Sequence, residues 1–381
     1  MEFISKLPNT TENIFSVMTG LSKEHDAINL AQGFPDFPSD PKLIEIVHHY
    51  MSNGFNQYAP MPGVLPLRKA LCQKINKLYG SNYNPNSEIT ITAGATQAIY
   101  TAITTIVQAG DEVIIIEPAY DSYLPAVLLN KGIPKFYTLK APDFSVDWEE
   151  LEKLITPKTK LLIVNTPHNP TGTLLQKKDL DQIERLIAKY NFLLLSDEVY
   201  EHITFDGQAH ASVASYPQLK NNSLICFSFG KVFHNTGWKT GYIVGPEWLM
   251  SEFQKVHQFE VFSCNTPLQY AFADYLEDEQ SYKGLSPLFE AKRDLALAEL
   301  KESQFDFIPC QGTYFQLLSY KKLSNEGDLN YAKKITKDAG VALIPISAFY
   351  HDGFDEGYVR LCFAKKDEVI LNACSILKNL S

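Results

Sequence analysis

Short apolar runs alternate with longer stretches of helical periodicity along the middle of the chain. Glu88–Thr92 (EITIT), Glu112–Ile116 (EVIII), Leu161–Asn165 (LLIVN), Phe192–Ser196 (FLLLS), Ser223–Phe229 (SLICFSF) and Gly241–Val244 (GYIV) read as strands. Their apolar residues are consecutive rather than alternating, as expected of strands covered on both faces. Helices are predicted from Gly94-Ala95 to Val107, near Trp148–Ile155 and over Lys177–Tyr190. Strands alternating with helices predict a mostly parallel sheet with helices outside it, an α/β fold.

The last third has a different rhythm. A long helix from about Pro287 to Glu302 precedes strand candidates Thr313–Leu318, Val341–Ile344 and Tyr358–Phe363. Helices near Leu329–Ala339 and over Asp367–Leu380 complete a smaller α/β unit. No repeat, low-complexity tract or Gly/Ser linker separates the parts. The pattern places a boundary near residue 279, between a large α/β part and a smaller C-terminal one.

Composition narrows the class without naming a function. The 381 residues are 45% hydrophobic and 20% charged, as in ordinary globular proteins. The net charge of −10 disfavours a general nucleic-acid binder, which needs a cationic footprint. No apolar run approaches the roughly 20 residues of a membrane span. The opening MEFISKLPNTTEN lacks the apolar stretch of a signal peptide. Six scattered cysteines form no CxxC pair, and no Cys/His spacing suits zinc. Together these point to a cytoplasmic enzyme or binding protein with reduced thiols.

Chemistry first suggests itself at Gly230-Lys231, but a phosphate loop would need Gly at position 225 and Ser or Thr at 232, where Ile225 and Val232 stand. No G-x-G-x-x-G lies at a strand–helix turn, and His48-His49 lacks the Glu of a metalloprotease motif. An ordered series carries more. It runs Gly94-Ala95-Thr96-Gln97, Glu117-Pro118-Ala119-Tyr120, Asn165-Thr166-Pro167-His168-Asn169-Pro170-Thr171-Gly172, Ser196-Asp197-Glu198-Val199-Tyr200, Ser228-Phe229-Gly230-Lys231 and Thr236-Gly237-Trp238-Lys239-Thr240-Gly241. Each member has an ordinary explanation alone: a turn, a helix cap or a solvated lysine. All of them fall at the ends of predicted strands, the edge where open α/β sheets bind ligands.

The series resembles the fold-type I, class I aminotransferases, which use pyridoxal 5′-phosphate (PLP). Ala31–Pro38 (AQGFPDFP), Asn56-Gln57-Tyr58 and Ser228–Gly241 are similar to the kynurenine/glutamine/methionine branch. The resemblance covers nearly the whole chain and implies a large domain, 46–278, with a seven-stranded, mostly parallel sheet, and a small domain built from 1–45 and 279–381. It implies Lys231 as the Schiff base lysine that condenses with the cofactor aldehyde and then moves the substrate α-proton. Such a base works best with its pKa drawn toward about 7–8. Asp197 would keep the pyridine nitrogen protonated, with Tyr200 and Asn169 donating to the phenolate and Tyr120 stacking on the ring. Ala95, Thr96, Ser228 and Lys239 would hold the phosphate, the first two at a helix N-terminus that favours anions. Tyr58 would reach the phosphate of a neighbouring subunit, making the enzyme a homodimer with shared active sites.

The substrate carboxylate calls for a fork-shaped cation, and only four arginines are present. Arg185 and Arg293 sit in polar helical stretches and read as solvated. Arg68, behind Pro66-Leu67, reads as structural. Arg360 lies in the apolar strand YVRLCF, where an unpaired charge is costly. The resemblance makes it the α-carboxylate arginine, helped by Asn169 and the Gly33 N–H. No further arginine suggests itself for a substrate side-chain carboxylate. The implied reaction is ping-pong transfer of an amino group from an L-amino acid, of methionine, glutamine or aromatic type, to a 2-oxo acid. A carbon–sulfur β-lyase on the same fold is the alternative. Phe15, Phe34 and Phe259–Phe262 are candidate pocket liners or ordinary core aromatics.

Overall fold

The computed structural model describes residues 4–8, 10 and 12–380. Its strands are β1 (Ile28–Asn29), β2 (Ile89–Thr92), β3 (Glu112–Glu117), β4 (Ile133–Thr138), β5 (Thr159–Asn165) and β6 (Leu193–Asp197). They continue with β7 (Ser223–Ser228), β8 (Gly241–Val244), β9 (Phe315–Ser319), β10 (Val341–Ala342), β11 (Ile344–Pro345) and β12 (Tyr358–Cys362). A seven-stranded sheet has the order β2-β8-β7-β6-β5-β3-β4. Only β8 runs antiparallel to its neighbours.

The unbroken apolar runs are explained by two cores, one on each sheet face. Ile114, Leu162, Val164 and Ile225 point into one, with Leu180, Ile183 and Leu186 of the Lys177–Tyr190 helix. Val113, Leu161, Ile163 and Leu224 point into the other, against Ile99, Ala102 and Ile103 of the Ala95–Ile106 helix. Successive strand residues thus serve opposite faces, and each fully buried aliphatic contributes about 1.5–3 kcal/mol. The Lys177–Tyr190 helix has local start and stop signals as well. The Asp179 carboxylate accepts from the Gln176 N–H at 2.7 Å, and Asn191 ends the helix at φ 55°.

In the seven-stranded sheet, the strand missed by hydropathy is β4. It is the edge strand beyond β3, its sequence IPKFYT carries a proline, and none of its residues is fully buried. An edge strand tolerates proline and needs no continuous apolar run. Two expected elements are shorter than read: the helix at Trp148 stops at Glu152, and Val341–Ile344 is broken into β10 and β11.

The chain's two ends build the second unit together. β1 pairs in parallel with β10, and β11, β12 and β9 form an antiparallel sheet. Helix Pro41–Ser52 packs on Thr266–Tyr275, so a division at 45/46 would cut a helix that packs as a whole. Arg293 corrects its sequence reading. It is 4% exposed, and its guanidinium grips Asp206 through both terminal nitrogens at 2.7 and 2.9 Å. Arg68 is buried against the Gly63 carbonyl, as a structural arginine, while Arg185 lies at the surface beside Glu152. The cysteines are all free thiols, and His48 and His49 are exposed. No helix among the described residues is long and apolar enough to cross a membrane.

Candidate active site

The parallel strands deliver their C-terminal residues to one edge. Asn165 at the end of β5 lies in register with Asp197 at the end of β6, and Ser228 ends β7 opposite Gly241. Gly241 has to be glycine, because a Cβ there would lie 2.7 Å from the Phe227 carbonyl and 3.1 Å from the Ala95 nitrogen. That close approach seats the start of the Ala95–Ile106 helix over the strand ends. A cavity of about 270 Å³ opens at this edge. Around it lie Gly33, Ala95, Thr96, Tyr120, Asn169, Asp197, Tyr200, Ser228, Lys231, Lys239 and Arg360. The sequence separates these residues by more than 300 positions, and the fold brings them together. Phe15 and Phe34 line the cavity as well, whereas Phe259 and Phe262 are exposed elsewhere.

Asp197 is 4% exposed and has neutral hydrogen-bond donors: Tyr123 OH at 2.6 Å and the Val199 N–H at 3.3 Å. Burial pushes its carboxyl up to about 6. Tyr123 carried no signal in the sequence, because nothing local shows that a tyrosine will meet a carboxylate 74 residues away. Asn165 braces the same corner. Its Nδ2 donates to the Asp197 carbonyl at 2.8 Å, and its Oδ1 accepts from the Asn169 N–H at 2.8 Å.

Lys231 is half-buried in the short helix after β7. Its Nζ donates to Tyr314 OH at 3.1 Å and approaches the Gly33 carbonyl at 3.4 Å. Burial pulls the amine down to about 8, and the neighbouring Arg360 and Lys239 charges act in the same direction. Tyr200 is buried, its ring edge-on to Tyr314 at 5.2 Å, and burial raises its phenol well above the ordinary value.

Arg360 is 1% exposed on β12. Its guanidinium lies over the Phe315 ring at 3.8 Å, donates to Asn169 Oδ1 at 2.6 Å and donates to the Ala31 carbonyl at 3.2 Å. Its buried Nε has no partner. A buried orphan donor is costly unless a ligand accepts from it. Because Asn169 gives its oxygen to Arg360, its amide nitrogen remains as a donor.

The Ala95–Ile106 helix begins after Gly94, at φ 81°, with no side chain capping its first N–H groups. Gln97 turns back to the Ala93 N–H, and Thr96 Oγ1 shares a hydrogen bond with Tyr120 OH at 3.1 Å. Lys239, at φ 51°, sits beside this helix start. Open N–H groups with an adjacent cation make an anion cradle. Tyr58 stands apart. It is 82% exposed, packs edge-on against Phe262 at 5.3 Å and does not line its own chain's cavity.

The family profile of aminotransferase class I and II matches residues 25–377. A methionine aminotransferase of Escherichia coli is 47% identical over 377 residues, spanning 99% of this chain and 98% of its own. Kynurenine–oxoglutarate transaminase 1 of Mus musculus is 35% identical, spanning 97% and 95%. Among solved structures, an Escherichia coli protein whose reactivity identifies a methionine aminotransferase function aligns at a TM-score of 0.98, with 46% identity and full coverage of both chains. The N-succinyldiaminopimelate aminotransferase of Mycobacterium tuberculosis aligns at 0.95, with 33% identity and full coverage. With the family profile, full-length relatives and fold in agreement, the chain belongs to the class I and II aminotransferases and is an amino-acid transaminase of fold type I.

Proposed function

We propose that the chain transfers the α-amino group of a neutral L-amino acid, of methionine, glutamine or aromatic type, to a 2-oxo acid by a ping-pong mechanism with PLP. The carrying observation is the convergence on one cavity of a lysine amine, a buried carboxylate with neutral donors and an arginine with an orphan N–H. The donor set fits the cofactor. A carboxyl pushed up by burial favours a cationic N–H beside it, and the open helix start with Lys239 and Ser228 favours a phosphate.

Bound there, PLP supplies an aldehyde for condensation with amines and a pyridinium ring that withdraws electrons from the substrate α-carbon. Asp197 would pair with the ring nitrogen and keep it protonated, and Tyr123 OH fixes that carboxylate. Asn169 Nδ2 and Tyr200 would donate to the phenolate oxygen, and Tyr120 would lie against the ring. Ala95, Thr96, Ser228 and Lys239 would hold the phosphate. Arg360, Asn169 and the Gly33 N–H take the substrate carboxylate, which supplies the acceptor that Arg360 Nε lacks. Lys231 Nζ removes the α-proton as a free amine and returns it as an ammonium. An amine titrating near 8 has both forms within reach at neutral pH.

Side-chain preference follows from charge. Lys231, Lys239 and Arg360 are the cations lining the cavity among the described residues, and all three have assigned partners. A substrate with a second carboxylate would have to desolvate it without a cation. A donor panel should therefore show methionine, glutamine or an aromatic amino acid well ahead of aspartate in kcat/KM. Activity confined to aspartate would sink this reading. Pyruvate and ammonia released from cystathionine without a 2-oxo acid acceptor would favour the β-lyase.

Arg360→Lys replaces the fork with a point charge. It is expected to lower kcat/KM roughly 10²-fold for amino and oxo substrates alike. Steady-state kinetics of both half-reactions check this, and loss for one substrate only would remove Arg360 from the α-carboxylate role.

A homodimer places Tyr58 in a second copy's phosphate site. The Tyr58–Phe262 pair supports this, since Tyr58 is largely exposed and Phe262 half exposed within the chain. PLP binds in the 46–278 unit, with 1–45 and 279–381 as the smaller domain. The first edge is better drawn before Pro41, where it spares the helix. Six free thiols suit the cytoplasm.

A further inference from the structure

Tyr314 immediately precedes β9 and is fully buried, yet its hydroxyl lies between two groups of the cavity. It donates to the Gly33 carbonyl at 2.8 Å and stands 3.1 Å from Lys231 Nζ. A phenol has one proton. With that proton committed to Gly33, the oxygen can only accept from the amine. The contact therefore uses an N–H of Lys231 and leaves the nitrogen lone pair unengaged. A hydroxyl free to rotate could instead donate to that lone pair and quench the base.

The ring has little freedom to turn away. Its backbone is held by the Phe363 N–H on the Tyr314 carbonyl at 3.0 Å, and the preceding Thr313, at φ 66°, bonds to the Ile203 carbonyl at 3.0 Å. Tyr200 and Phe289 pack on the ring at 5.2 and 5.5 Å between centroids. Gly33 belongs to the segment whose Ala31 carbonyl also accepts from Arg360. Tyr314 thus joins the lysine, through one hydroxyl, to the strand of chain beside the carboxylate arginine.

We propose that Tyr314 is a positioning residue for transamination: its hydroxyl, fixed as an acceptor by the Gly33 carbonyl, holds the free Lys231 amine with its lone pair directed away from the phenol and available to substrate. This rests on the aminotransferase reading of Lys231. The charged or titratable neighbours acting on the amine are Cys362, Arg360, Asp197 and Lys239, with the Tyr200 ring centroid 5.5 Å from Nζ. When the amine takes a proton, the Tyr314 oxygen and the Gly33 carbonyl both accept from the ammonium. Removing the hydroxyl weakens the charged form more than the neutral one.

The test uses limiting acetic anhydride on cofactor-free protein across pH 6–10, with Lys231 acetylation read by peptide mass spectrometry. Tyr314→Phe keeps the ring and is expected to lower the Lys231 midpoint by about 0.5–1 pH unit. In the loaded enzyme it should lower kcat roughly tenfold, with KM for the amino donor held within about twofold. Phe289→Leu loosens the ring's packing, and that of His234, without removing a hydrogen-bonding group. It should lower thermal stability and leave the midpoint in place. A midpoint unchanged in Tyr314→Phe, or moved equally in Phe289→Leu, overturns the proposal. The labelling needs neither cofactor nor substrate, so its failure is separate from failure of the aminotransferase reading, which would show as a loaded enzyme inactive with every amino donor.

Discussion

Replacing Lys231 with alanine is expected to reduce transamination by at least about 10⁴-fold, the scale of a lost general base compounded with a lost nucleophile. The geometry gives the reason for so large an effect. Lys231 is the amine among the cavity's described residues that combines partial burial with a pKa drawn down to about 8. Lys239 is exposed and sits beside the helix start. Lys231→Arg separates the two roles. It retains a cation in the same place, but a guanidinium does not deprotonate near neutrality. Both variants should fall together in activity, and both should lose the borohydride-reducible linkage that peptide mapping assigns to residue 231 in the parent. If the alanine variant still yields a reduced adduct at one specific lysine and still turns over, the assignment is wrong.

The residues that sequence reading reached first share a property. Asn169, Asp197, Ser228 and Lys231 lie where an apolar run stops, and a strand end can be seen locally. Their neighbours on the same edge could be inferred because a parallel sheet carries all its C-terminal ends to one side. What could not be read is contact made across the fold. Tyr123 meets Asp197 over 74 positions, and Tyr314 meets Gly33 over 281. Neither tyrosine sits in a pattern that distinguishes it from core packing. Arg293 shows the converse error. Its local setting, Lys292-Arg293-Asp294, looks solvated, yet the guanidinium is buried and reaches out to Asp206, 87 positions away, whose carboxylate stays half exposed. Charge adjacent in sequence says little about burial when the compensating partner is distant. β4 escaped for a related reason: its exposure at the sheet edge removed the apolar run on which the other strands were recognised.

Asp197→Asn should divide function from stability. An amide cannot hold a proton on the cofactor nitrogen as a carboxylate does, so kcat is expected to fall about 10²–10³-fold, the usual cost of removing a preorganised electrostatic partner. In cofactor-free protein the same change should stabilise. Burial raises the Asp197 carboxyl to about 6, above its ordinary value in the unfolded chain. The folded state therefore binds that proton more tightly. The stability this confers is present in acid and is lost as pH rises through about 6. At pH 7–8 the ionised group costs the folded protein about 2–3 kcal/mol. Asparagine removes that cost while still accepting from Tyr123 OH. Cofactor-free Asp197→Asn should then melt roughly 3 °C above the parent at pH 8, with the gap closing toward pH 4. Adding PLP should reverse the order, because the parent binds it more tightly and gains more from linkage. Paired thermal scans at both pH values, with and without PLP, read all four cases. Equal melting of the two cofactor-free proteins at pH 8 would show that the buried carboxylate is already compensated, and would remove the argument that this site is built to receive a cationic ring nitrogen.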